Sequence, residues 1–195
     1  ENVDPNKRFL LKKDVAKLAV FKFKIDDALI TNDLAVFDTY FDIIEKREEA
    51  AQKIFHSILS KKINLALQDS FDIDADKYDF AENSKALKRR WNGYISTQVL
   101  EKLYSLEKKQ NENDTLKIKQ SITNLEEKAR KHVEKRHVDW FKRLNQLERA
   151  DRFSIFVNSI LAVYGPHTSY YPPKDKEDFD ISMSGKLEGI GATLT

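Results

Sequence analysis

Apolar residues recur at three- and four-residue spacing through most of this chain, with polar residues between them, which is the signature of amphipathic helices. The clearest run is Leu34, Phe37, Phe41, Ile44, Ala51, Phe55 and Ile58, preceded by the capping residues Thr31-Asn32-Asp33. Glu48 interrupts that stripe and reads as a locally exposed turn in preference to a buried polar contact. Upstream, Leu18, Ile25 and Leu29 mark one face of a helix starting at Val15, and Val20, Phe21 and Phe23 add apolar surface that predicts a largely buried element. Downstream, Ser84 caps a helix with Leu87, Trp91, Ile95 and Leu106 as core candidates and Gly93 as its weak point. Ile118, Ile122, Leu125, Ala129, Val133, Trp140, Leu144 and Leu147 line a further long helix. The last, Arg152 to Tyr164 behind a cap at Asp151, is apolar nearly all round, which suits the middle of a bundle. The pattern predicts an all-α fold of about five packed helices.

Two stretches break the pattern. Ile63 to Asn83 is a loop rich in Asp and aromatics, pinned in this reading by Phe71, Ile73, Tyr78 and Phe80. Its Asp72, Asp74 and Asp76 alternate like the first ligands of an EF-hand, but Lys77 stands where the motif needs Gly and Asn83 where it needs Glu. The acids therefore read as solvated. The second break is Tyr164 to Thr195, which holds four of the five glycines and three of the four prolines. Crowded Gly and Pro predict an extended connector over 165–186. After it, Leu187-Glu-Gly-Ile-Gly-Ala-Thr-Leu194 alternates apolar and small residues as an edge strand does. A strand without a partner cannot satisfy its backbone, so the chain is expected to be part of a longer protein, ending inside a second domain.

Composition narrows the chemistry. With 41% hydrophobic and 34% charged residues the chain is that of a helix-rich globular protein, and no apolar run is long enough for a membrane span. Cysteine is absent, which excludes disulfides, thiol catalysis and Cys-based zinc sites. The net charge of +2 gives no global pull toward nucleic acid. A local one exists, since Lys128, Arg130, Lys131, Lys135, Arg136, Lys142 and Arg143 lie near Trp140 and Phe141. Glu126, Glu127, Glu134 and Asp139 are interleaved at spacings that permit pairing, so a self-paired solvated face is preferred. The alternative is a stand-alone helical interaction or nucleic-acid-binding module built on Lys128 to Arg143. His132 and His137 are five apart and face differently, His56 is isolated, and His167 reads as a structural tie between connector and bundle. Ser154, Ser159, Ser169, Ser182 and Ser184, even Ser182 with Lys186, lack a positioned base and oxyanion hole. No cofactor, metal or catalytic residue is assigned.

Pro166-His167-Thr168-Ser169-Tyr170, Pro172, Phe179, Met183-Ser184 and Leu187-Glu188-Gly189-Ile190-Gly191-Ala192, in that order, resemble the junction of tail-specific (carboxyl-terminal processing) proteases, where a helical N-terminal domain meets a PDZ domain. Asp4-Pro5, Phe9-Leu10-Leu11 and Asp14 resemble the start of the same helical domain, and the family's usual Asp at the position of Gly165 is missing. The resemblance implies a helical domain over 1–164, a connector over 165–186 and the start of a PDZ domain over 187–195. It implies a periplasmic serine endopeptidase that degrades or trims proteins from apolar C-terminal tails, with a Ser-Lys dyad in a domain beyond this chain. The helical domain would scaffold the protein's own PDZ and protease domains and dock substrate or an adaptor. By the same resemblance, Leu187, Gly189, Ile190, Gly191 and Ala192 are substrate-binding, their backbone N–H groups receiving a C-terminal carboxylate.

Overall fold

The computed structural model describes residues 3–31, 33–64, 71–72, 74–112, 119–165 and 167–184. Among them are seven α-helices: α1 (Lys12–Ala19), α2 (Ile25–Thr31), α3 (Ala35–Leu59), α4 (Ser84–Asn111), α5 (Ile122–Asn145), α6 (Arg149–Tyr164) and α7 (Pro173–Ser184). A turn of 3-10 helix lies at Ala75–Lys77. The architecture is all-α, as the hydrophobic period predicts. It has more helices than the pattern gives because the first is split and the connector contains one.

The chain divides into two compact units, Val3–Gln146 and the segment from Leu147 onward. In the first, α4 buries Leu87, Trp91, Ile95, Val99 and Leu103, every fourth residue of one stripe. From α5 come Leu125, Ala129, Val133, His137 and Phe141 at the same spacing. These stripes face each other in antiparallel helices, since Trp91 meets Phe141 at 6.1 Å, Tyr94 meets His137 at 5.7 Å, and Gln110 exchanges hydrogen bonds with the backbone of Gln120. Ala51, Phe55, Ile58 and Leu59 of α3 close the core. Burying each of the large side chains Trp91, Phe55 and Phe141 contributes about 1.5–3 kcal/mol.

The helix expected from Val15 to Leu29 is broken. After Ala19 the backbone tightens through Phe21 N–H to Leu18 O and Lys22 N–H to Ala19 O, then restarts as α2. Val20, Phe23 and Ile30 point outward, Phe23 with 83% of its surface exposed, so the element is not the largely buried helix that its composition predicts. Its apolar residues do not keep to one face through the turn. Glu48 departs in the opposite sense. It is 6% exposed and lies within the unbroken α3, so the polar residue in the apolar stripe is buried.

In the second unit, Asp151 occupies the third position of α6 and accepts from Glu148 N–H at 2.8 Å. Phe156 and Val157 are buried, whereas Ile155, Val163 and Tyr164 are exposed, so α6 is not buried all round as its composition predicts. The connector expected to be extended over 165–186 is helical at Pro173–Ser184. Pro173 is the first residue of α7, where a missing N–H costs nothing, and Lys176 pairs with Asp180 one turn on. The strand expected from Leu187 lies outside the described residues.

Candidate functional site

The residues that carry chemistry in this sequence are scattered by the fold. Leu187, Gly189, Ile190, Gly191 and Ala192 lie outside the described residues. Asp72 and Asp74 spend their carboxylates on backbone turns, accepting from Asp74 N–H and Asp76 N–H at 3.1 Å each, with Lys77 3.8 Å from both. Ser154 and Ser159 donate to the carbonyls of Ala150 and Phe156 in their own helix, and Ser184 to that of Ile181. His56 stands edge-on to Phe55. His167 is exposed, and Asn158 of α6 makes the tie expected of it. The Asn158 side chain accepts from Tyr170 N–H at 2.7 Å and donates to Tyr170 O at 3.2 Å, while Phe153 meets the Tyr170 ring edge-on.

His137 takes the fourth place in the α5 core stripe. Its ring stacks on Phe55 at 5.1 Å and meets Tyr94 and Trp140 edge-on, with Nδ1 2.9 Å from Val133 O. Burial pushes its proton affinity below the ordinary histidine value, against the Val133 carbonyl and with the help of Arg136 and Arg8. Four-residue spacing from Leu125 leads to this position. The apolar pattern leads to Trp140 and Leu144 instead, and both are half-buried beside the stripe.

Among the described residues, a densely bonded polar structure is one that hydrophobic spacing does not reveal. The buried Asp4 carboxylate accepts from the N–H groups of Arg8, Phe9 and Leu10, each at 2.9 Å. Lys7, at φ 49°, closes the turn through its N–H to Asp4 O and sends its ammonium to the carbonyls of Ala75 and Tyr78. Arg90 of α4 donates to Lys7 O and Asp79 O at 2.6 Å each and stacks over Tyr78. Trp91 Nε1 donates to Arg8 O at 2.8 Å, and Lys12 N–H to Ala81 O at 3.0 Å. The segment before α1 is thereby fastened to α4 and to the loop before it. A single Asp-Pro is its only cue in the sequence.

A second such structure joins α1 to α3. Asp14 accepts from Leu11 N–H at 2.8 Å and from Arg47 through both oxygens, at 2.6 and 3.0 Å. Burial pushes its carboxyl up, but the Arg47 and Leu11 hydrogen bonds outweigh it and leave the group below the usual carboxylate range.

On α5 the cations separate into two kinds. Arg130 is held inward, 3.3 Å from the buried Glu126 and donating to Leu59 O at the end of α3, while Glu126 also accepts from Ile63 N–H. Lys131 pairs with Glu127 at 2.7 Å. Lys128, Lys135, Arg136, Lys142 and Arg143 have no carboxylate within ion-pair distance among the described residues, so the self-pairing expected of this face is confined to its first turns. Trp140 and Phe141, the stacking platform of the nucleic-acid alternative, pack inward against Trp91 and Phe9.

Comparison with known proteins places these observations. The family described as Tail specific protease N-terminal domain matches residues 1–174. The Tail-specific protease of Haemophilus influenzae is 30% identical over 196 residues, an alignment that takes in 100% of this chain and 26% of that protein. The chain thus spans about a quarter of the length of this relative. No helix among the described residues is long and apolar enough to cross a membrane.

Proposed function

The chain belongs to the tail-specific protease family, and from that premise we propose that it is the non-catalytic N-terminal part of a periplasmic serine endopeptidase that acts on proteins with apolar C-terminal tails. In this reading residues 1–164 form the helical domain, 165–186 the connector and 187–195 the first residues of a PDZ domain. Leu187, Gly189, Ile190, Gly191 and Ala192 contribute backbone N–H groups to a substrate's terminal carboxylate, in a pocket completed by residues beyond this chain. The helical domain scaffolds the PDZ and protease domains and docks substrate or an adaptor.

The observation that carries the reading is the coverage: similarity runs the whole length of this chain but over only 26% of the Haemophilus influenzae protease. The buried and half-buried polar side chains support it, because their bonds fix helices and loops. Arg90 and Asp4 are committed to backbone groups, Asp14 to Leu11 N–H and Arg47 of α3, and Arg130 to Glu126 and Leu59 O at the end of α3.

The test is turnover of an unstructured protein ending in small apolar residues. The 195-residue chain alone is expected to leave it intact, while the longer protein that contains the chain cleaves it. In that longer protein, Gly189→Val with Gly191→Val should raise KM for tail substrates with a smaller effect on kcat, because backbone approach to the carboxylate is a binding interaction. Cleavage by the chain alone that survives purification, or unchanged KM in the double variant, overturns the assignment.

A further inference from the structure

The charges of α5 are not evenly mixed in three dimensions. At about 100° per residue, Lys128, Lys131, His132, Lys135, Arg136, Lys142 and Arg143 fall within roughly 140° of arc, with Asp139 among them. Glu127, paired with Lys131 at the edge of this arc, and the half-buried Glu134 lie just outside it, and Glu126 is buried. The interleaving seen along the sequence therefore resolves into an arc that is basic except for Asp139 near its middle, with Glu127 and Glu134 just beyond one edge. Rising about 1.5 Å per residue, the basic side is on the order of 22 Å long.

Lys102 of the adjacent α4 extends it. The antiparallel register fixed by Tyr94 on His137 and Gln110 on Gln120 sets Lys102 level with the start of this arc, and slight burial, then the positive charges of Lys102, Arg136 and Lys135, hold the exposed His132 imidazole below its ordinary value. None of Lys102, Lys128, Lys135, Arg136, Lys142 and Arg143 has an ion-pair partner among the described residues. Like charges held close in this way stabilise neither helix, and an anionic partner would relieve them.

We propose that the basic side of α5, joined by Lys102 of α4, is a docking face for an extended acidic polypeptide segment. Polypeptide as the class rests on the protease reading above. It is also what the face favours: Trp140 and Phe141 pack against Trp91, so neither of the α5 rings is presented for stacking on bases. The basic arc carries no apolar side chain to enter a bilayer, Val138 lying beyond its edge. Lysine ammonium groups on a straight ridge match carboxylates spaced along an extended chain by Coulomb attraction alone.

The experiment titrates the 195-residue chain with a fluorescent oligoglutamate peptide, with duplex DNA and anionic phospholipid vesicles as parallel probes. Saturable oligoglutamate binding is expected, weakening as salt is raised. Lys128→Glu with Lys135→Glu and Lys142→Glu should weaken it by about tenfold or more, with the helical circular dichroism unchanged because these side chains are exposed. The bound carboxylates should also raise the His132 titration midpoint in the NMR spectrum. Absent or salt-insensitive binding, equal affinity in the triple variant, an unmoved His132, or stronger binding to DNA or vesicles than to oligoglutamate overturns the proposal. None of these outcomes touches the protease reading, whose own test is tail cleavage.

Discussion

Asp14 and Arg47 form a two-point ion pair whose side chains are 5% and 16% exposed, and the same carboxylate holds the first turn of α1 through Leu11 N–H. Removing the acid strands a guanidinium and a backbone donor together. Asp14→Ala should therefore cost about 3 kcal/mol, readable as a lower urea midpoint. Because the folded carboxyl titrates below its unfolded value, its stabilisation is present above the unfolded value near 3.8 and is lost as pH falls through the folded one. His137 acts at higher pH. Its folded value is also depressed, so the unfolded chain takes up the proton first, and stability should decline as pH drops below the ordinary histidine value of 6.5. Urea midpoints between neutral and mildly acidic pH test this: the slope should flatten in His137→Phe, which keeps the ring in the stack on Phe55. A slope unchanged by the substitution would assign the effect to other groups.

At the level of elements, Gly93 shows how a loop is seated on a helix. In the interior of α4 a glycine costs about 1 kcal/mol against alanine, yet a Cβ here would collide with the Phe71 ring. The glycine is a slot for that ring. Gly93→Ala should consequently destabilise the protein or free the loop to proteolysis, despite the better helix propensity. In a Phe71→Ala background the same change should stabilise by about 1 kcal/mol, and the reversal of sign between backgrounds is the measurement. The loop's seating was legible from its aromatics, and the long helices from spacing alone, since Leu87, Trp91 and Ile95 or Leu125, Ala129 and Val133 declare their faces without context. What spacing could not show was contact. The slot at Gly93 depends on Phe71, twenty-two residues earlier, and the Asp4 turn depends on carbonyls brought up from the loop before α4. The α7 helix is hidden for a different reason: Pro172-Pro173 reads equally as the start of a helix and as an extended connector, and local sequence does not decide between them. For the candidate site the limits are similar, because the charged residues of α5 were visible but the gathering of its cations into one arc around Asp139 follows from helical rotation and not from their order along the chain.

For the molecule as a whole, the buried cluster around Trp91 and Phe55 is built from residues between Phe9 and Leu144, all of them in the unit that ends at Gln146. A chain stopped there keeps its core, the Asp4 turn, the Asp14–Arg47 pair and the basic side of α5. It should unfold cooperatively, with a urea midpoint close to that of the full chain. The segment from Leu147 contains α6 of 16 residues and α7 of 12, lengths at which isolated helices are marginal in water. Made alone, it should show little helical signal and no cooperative transition. If the shorter chain fails to fold, its core must depend on the residues from Leu147 onward, and the two compact units are not separate folding units. If it folds and still binds oligoglutamate through Lys128, Lys135 and Lys142, the acidic-segment face belongs to the first unit by itself, and it would operate independently of the residues from Leu147 onward.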